Sequence, residues 1–146
     1  RELEKGAVLA GGGANHRFGL FDMVLVKDNH LKLGAGAGDF ANRIRELRKE
    51  RPNVRIEVEA DDLSQVRAFV GIEEIDIILL DNMTPAQMRE AVALRQHEVK
   101  FEASGGVNLR NIRRIASTGV DYISVGALTH SARSIDFSLE ITHVQG

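Results

Sequence analysis

The 146-residue chain has no cysteine, which excludes a disulfide framework and a thiolate zinc site and leaves redox chemistry silent about the compartment. No apolar run approaches the roughly 20 residues that a membrane helix needs, and no signal-peptide pattern is present. An excess of one charge is missing as well. Nineteen Lys and Arg stand against 21 Asp and Glu, a formal net charge of −2, so the chain is neither a nucleic-acid-binding polycation nor a disordered polyanion. With 43% hydrophobic residues it suits one ordinary globular unit, and a cytoplasmic location is the default expectation. An initiator methionine is also lacking. The opening RELEKGAVLAGGG has Leu3, Ala7 and Ala10 at helical spacing before three glycines, and reads as a helix in a fragment whose earlier part is missing.

What is present centres on residues 11–30, GGGANHRFGLFDMVLVKDNH, where a glycine run, two histidines, an arginine and a lysine surround one short apolar stretch. Met23–Val26 is too short for a buried helix and reads as a strand covered on both faces. Alternation puts Met23, Leu25 and Lys27 on one face and Val24, Val26 and Asp28 on the other. Lys27 thus continues an apolar row, where an ammonium needs a partner or an anionic ligand.

Residues 54–59, 75–80, 99–103 and 120–125 read as further strands, and 135–141 as a sixth. Helices fit between them. Asp39 is expected to cap one that carries Phe40, Ile44 and Leu47 and ends at Pro52; Asp62 caps a second with Leu63, Val66, Phe69 and Val70. Thr84-Pro85 makes an N-cap followed by an N1 proline. Asn108 is expected to cap a helix through Leu109, Ile112, Ile115 and Ala116 that stops at Gly119, and 128–133 is a short helical or loop segment. The steps from Ile77 to Val99 and from Val99 to Asp121 are equal, without a sequence repeat. Such alternation is the pattern of right-handed βαβ units in a parallel sheet.

The unusual residues fall at the C-terminal end of every strand in turn: Lys27, Glu59, Asp81, Ser104 with two glycines, and Gly126. A doubly wound sheet gathers its ligand at one switch point, whereas a β/α barrel draws on many strand ends around one rim. The expectation is therefore an α/β fold of the TIM-like β/α-barrel type. It would be incomplete, with about six parallel strands, since a full barrel has eight and needs about 200 residues or more.

Each candidate has a bland reading beside the functional one. Arg55, Glu57 and Glu59 share a face, and the acids point into the barrel unless the strand is a solvent-facing edge. Asp81 follows an apolar run at a strand end; its alternative is helix capping, which Thr84 already performs. Glu102 and Ser104 share a face, and Gly105-Gly106 lets backbone N–H groups approach an anion closely. A lone Gly-Gly is only a turn, but Val125-Gly126-Ala127 repeats the arrangement after the next strand. Two such loops resemble the phosphate sites common in β/α barrels. Arg17 suits a carboxylate or phosphate in two-pronged geometry, whereas His16 alone reads as a stray surface charge. His30 and His130 read as satisfying local carbonyls, and His97 and His143 as surface residues. Together the rim suits a substrate with phosphate and carboxylate groups, its hydroxyls or a divalent cation held by acids. No pattern for a covalent nucleophile stands out.

In order and spacing, GGGANHRFGLFDMVLVKDNH, IEVEAD, IILLDN, EASGG and TGVDYISVGALTHS resemble the catalytic domain of the quinolinate phosphoribosyltransferase family, over essentially the whole chain. The resemblance implies a pentosyltransferase of NAD biosynthesis: quinolinate and phosphoribosyl pyrophosphate give nicotinate mononucleotide, pyrophosphate and CO2, with Mg²⁺. It also implies roles: His16, Arg17 and Lys27 would hold the quinolinate carboxylates, and Glu59 and Asp81 the ribose hydroxyls and the Mg²⁺ region, with Lys27, Glu59 and Asp81 as the catalytic set. Ser104, Gly105, Gly106, Val125, Gly126 and Ala127 would surround the 5′-phosphate. The family's N-terminal α/β domain and first barrel strand, with its Thr-Arg-Lys-type motif, are absent from residues 1–146. The family's site lies at a dimer interface and is completed by an arginine from the partner's N-terminal domain, so a homodimer or higher homo-oligomer and a poorly active isolated chain are expected. The rival readings are a relative acting on another substrate, and a non-catalytic or engineered barrel fragment that binds phosphate-containing ligands or assembles with a missing segment.

Overall fold

A computed structural model of the chain describes residues 2–16, 23–27, 37–130 and 136–140. Among them, helix α1 (Glu2–Ala10) precedes strand β1 (Met23–Val26), and strands and helices then alternate: α2 (Ala37–Glu50), β2 (Arg55–Ala60), α3 (Leu63–Phe69), β3 (Ile77–Asp81), α4 (Pro85–Ala93), β4 (Lys100–Ser104), α5 (Ile112–Ala116), β5 (Tyr122–Ile123) and α6 (Ala127–His130). The five strands form one sheet in the order β1-β2-β3-β4-β5, every neighbour parallel. Sequential order without a switch point is the order of a β/α barrel and not of a doubly wound sheet, and among the described residues the barrel is not closed.

The two faces of the sheet divide as strand alternation requires. Ile56, Val58, Ala60, Ile78, Leu80, Phe101 and Ala103 point to the helices and pack with Ile44, Val66, Phe69, Met88, Ala91 and Ile115 into the main core. The register pairs Leu25 with Glu57, Glu59 with Leu79, Leu79 with Glu102, and Asp81 with Ser104. These residues line the inner face, where Met23, Ile77 and Leu79 are also buried.

Helix starts follow local chemistry. Asp62 accepts from the Gln65 N–H, and Thr84 forms a capping box with Gln87 ahead of Pro85. Two expected caps are corrected. α2 begins at Ala37, so Asp39 lies inside its first turn and pairs with Arg43 at 3.1 Å. The N-cap position of α5 is Asn111; Asn108 instead accepts from the Arg110 N–H in a preceding turn, which leaves Leu109 exposed. Glycine does end that helical stretch, Gly119 standing at φ 92°. The expected sixth strand is also corrected: 136–140 is not in a strand, and Phe137 and Leu139 are exposed. No helix among the described residues is long and apolar enough to cross a membrane.

Candidate functional site

The C-terminal ends of the strands carry two clusters of ionisable groups. His16 stands in the loop after α1, where its neighbour Asn15 ties the chain back by donating to the Lys5 carbonyl at 3.2 Å. Its Nε2 lies 3.1 Å from Glu57 Oε2 on β2 and 3.3 Å from Glu102 Oε1 on β4, and hydrogen-bond geometry is met toward Glu57 Oε1 at 3.4 Å. Ser124 Oγ, just beyond β5, donates to Glu102 Oε1. Both carboxylates are buried, Glu57 at 0% and Glu102 at 4% exposure. Glu57 Oε2 has no hydrogen-bond partner among the described residues, so the imidazole is what balances its charge. The hydrogen bonds to Glu102 and then Glu57 raise the His16 pKa from 6.5 to about 10, against the opposing effect of burial. His16 is therefore an imidazolium at neutral pH, anchored on two strands, and not a stray charge on a loop.

The second cluster lies further along the same face. Lys27, directly after β1, brings Nζ to 3.4 Å from Glu59 Oε2, as the alternation of β1 and β2 demands. Glu59, Asp61 and Asp81 place carboxylate oxygens within 4.8 Å of one another. Three convergent oxygens of this kind suit a hard divalent cation. Asn82 donates from Nδ2 to Asp81 Oδ2 at 2.8 Å, which orients that carboxylate.

Beside Asp81, the loop after β4 is built on glycine. Gly105 and Gly106 have φ values of 92° and 60°, a region that glycine enters without strain. A Cβ on Gly105 would run into the side chain and backbone nitrogen of Asn82, itself at φ 52°. The loop after β5 makes a tight turn: Leu128 donates to the Val125 carbonyl at 3.2 Å and Thr129 to that of Gly126 at 3.0 Å. Since β4 and β5 are neighbours, Ser104–Gly106 and 125–127 lie side by side on one rim.

Of the residues singled out from sequence, the structure brings His16, Lys27, Glu59, Asp81, Ser104, Gly105, Gly106, Val125, Gly126 and Ala127 to that rim. Arg17, His30 and His143 lie outside the described residues, as does the side chain of His130. His97 is a correction, because its Nε2 is buried; it lines a concavity of about 290 Å³ at the opposite end of the sheet, with Arg55, Asp76, Lys100 and Tyr122. That concavity holds none of the expected site residues. Sequence reasoning assigned no role to Asp61, Glu57, Glu102 or Ser124. Alternation did place Glu57 beside Glu59 and Glu102 beside Ser104, but nothing local points to their sharing a histidine 41 positions from Glu57.

A family model described as quinolinate phosphoribosyl transferase, C-terminal domain, matches residues 1–140. The chain is similar to the nicotinate-nucleotide pyrophosphorylase [carboxylating] of Mycobacterium leprae, with 45% identity over 144 residues, covering 97% of this chain and 49% of the relative. It is 39% identical over 142 residues to the probable nicotinate-nucleotide pyrophosphorylase [carboxylating] of Bacillus subtilis, covering 97% of this chain and 48% of the relative. Among solved structures, NadC from Streptococcus pyogenes superposes with a TM-score of 0.80 at 38% identity, covering 94% of this chain and 47% of that one. The chain thus spans about half the length of the curated relatives it matches.

Proposed function

Since the chain belongs to the quinolinate phosphoribosyltransferase family through that family's C-terminal domain, we propose that it supplies most of a site for phosphoribosyl transfer from phosphoribosyl pyrophosphate to quinolinate. Loss of CO2 then yields nicotinate mononucleotide. The observation that carries this reading is the meeting on one rim of cations (His16, Lys27), acids (Glu59, Asp61, Asp81) and two glycine loops. Quinolinate is a dianion, and His16, Lys27 and Arg17 are the groups that would take its carboxylates. Glu59 and Asp81, joined by Asp61, would hold the ribose hydroxyls and Mg²⁺, which when bound offsets charge moving onto the departing pyrophosphate. The loops at 104–106 and 125–127 would surround the 5′-phosphate with backbone donors. The carboxylates of Glu59 and Asp81 also favour the positive charge that develops on the ribose in an oxocarbenium-like transition state. A dimer in which the partner completes the site, and a cytoplasmic location, belong to the same proposal and rest on family membership.

The test is formation of nicotinate mononucleotide by the intact protein that carries this chain, with quinolinate compared against other pyridine carboxylates. Lys27→Ala should weaken quinolinate binding about tenfold or more, as loss of a charge-assisted contact does; unchanged binding removes Lys27 from this role. Preference for a different pyridine carboxylate would move the substrate assignment to a related transferase. The 146 residues alone should turn over little quinolinate, and robust activity from them would refute the need for a further segment.

A further inference from the structure

We propose that Glu57 and Glu102 are positioning residues that fix His16 in one orientation, doubly protonated, so that its second N–H is held as a permanent donor for a substrate carboxylate. The inference rests on the functional reading above and deepens it. Three observations carry it. The carboxylates come from strands that are not neighbours, β2 and β4, yet both meet the same ring nitrogen, at 3.1 and 3.3 Å. Both are buried while His16 keeps 30% of its side chain exposed, so the ring bridges a dry floor and a wet surface. Glu102 is itself held by the Ser124 hydroxyl, which leaves the acid little freedom to turn away.

The consequence follows from imidazole chemistry. With Nε2 committed to two acceptors it must carry hydrogen, and Nδ1 lies on the other side of the ring. In a neutral imidazole Nδ1 would then be an acceptor and would repel a carboxylate; in the imidazolium it is a donor. Two carboxylates beside one imidazolium leave a surplus negative charge, so the cluster contributes direction and not net attraction. Net attraction for a dianion has to come from elsewhere on the face. Lys27, just after β1, is the cation there, and the carboxylates of Glu59, Asp61 and Asp81 beside it must be offset before the face attracts a dianion. The inner-face neighbours of Glu57 and Glu102 on β3, Ile77 and Leu79, are apolar, so no charge lies between the two acids on that strand.

The experiment uses the intact protein with Glu102→Gln, Glu57→Gln and the milder Ser124→Ala. In ligand-free protein, the His16 ring resonances should show no titration between about pH 6 and about pH 9 in the parent, because its pKa is raised, and an inflection inside that window in Glu102→Gln. In turnover, KM for quinolinate should be flat over that range in the parent. In Glu102→Gln and Glu57→Gln it should rise about tenfold toward the alkaline end, as loss of a charge-assisted hydrogen bond does, with kcat changing less. Ser124→Ala should shift the same profile in the same direction by a smaller factor. Thermal melts identify any variant that fails to fold, and Ser124→Ala, which removes one hydroxyl, then carries the test. A parent His16 that titrates near its ordinary value, or variants whose KM profile matches the parent, overturns the proposal. Absence of quinolinate turnover in the parent would instead sink the functional reading, and the ligand-free titration would still report on the cluster.

Discussion

The two ends of the sheet use the same residue types to opposite purposes. At the N-terminal end, Asp76 accepts from the Ile56 N–H at 2.7 Å and from Arg48 at 2.6 Å. One unit pair later the motif recurs, with Asp121 accepting from the Phe101 N–H at 2.9 Å and from Arg95 at 2.6 Å. Each acid sits just before a strand and pins the strand one βα step earlier in chain order, its neighbour in the sheet. Both terminal nitrogens of Arg48 are engaged, reaching the carbonyls of Pro52, Val54 and Glu74 as well. At the C-terminal end the ion pairs between strands and loop are longer, 3.1 to 3.4 Å, and although each end holds one buried polar atom without a hydrogen-bond partner among the described residues, Glu57 Oε2 here is a carboxylate oxygen whereas His97 Nε2 at the other end belongs to an imidazole. The short pairs of Asp76 with Arg48 and of Asp121 with Arg95 belong to the scaffold, whereas the longer charge contacts on the other rim are what a ligand can complete.

Substitutions at the two ends should therefore separate activity from stability. The largest effect is expected from Asp81→Ala, which removes an acid from the Glu59–Asp61–Asp81 group. It should lower kcat/KM about a hundredfold, the scale of losing one preorganised electrostatic group, with little change in Tm. A comparable fall in both quantities would erase the distinction between the ends. Next comes Asp121→Ala, which strands the buried Phe101 N–H and the charges of Arg95 and Lys100. Unfolding free energy should drop by about 1–3 kcal/mol, visible as a lower denaturant midpoint, while KM is unmoved. A third effect concerns pH. His16 has a folded-state pKa raised from 6.5 to about 10, so its contribution to stability is fully present below about pH 6.5 and fades as pH rises toward 10. Tm in the parent should decline over that interval, and His16→Gln should flatten the decline; Asp121, a carboxyl held low by its N–H and arginine partners despite burial, acts at the acid end and should leave the alkaline limb alone.

How much of this was legible in the sequence depends on how far each signal travels along the chain. Lys27 and Glu59 were legible because a strand's period of two decides which side chains share a face, and β1 and β2 are neighbours. The caps at Asp62 and Thr84 were legible because they act over three residues. Asn108 misled because Asn111, equally able to cap, stands three positions on and the turn between them satisfies both side chains. Strand limits slid by one or two residues, as at Ile77–Asp81, because a run of Ile and Leu continues beyond the ladder that the neighbours allow. The His16 cluster was not legible as a unit: it needs a loop, two strands and a serine after a third, and only the folded sheet brings these together.

The interlock of Asn82 with Gly105 has a consequence for how such a rim changes over generations. Asn82 occupies the volume that any side chain at position 105 would need, and its amide also steadies Asp81. A side chain at 105 is therefore felt at the acid cluster as well as in its own loop, and shrinking residue 82 clears only part of its path, because the Asn82 backbone nitrogen still stands 2.9 Å from the added Cβ and Gly105 is at φ 92°. Shrinking residue 82 first also releases Asp81. The two positions form a small evolutionary ratchet in which neither single step is neutral, so drift along this lineage should leave them together while the surrounding helices diverge.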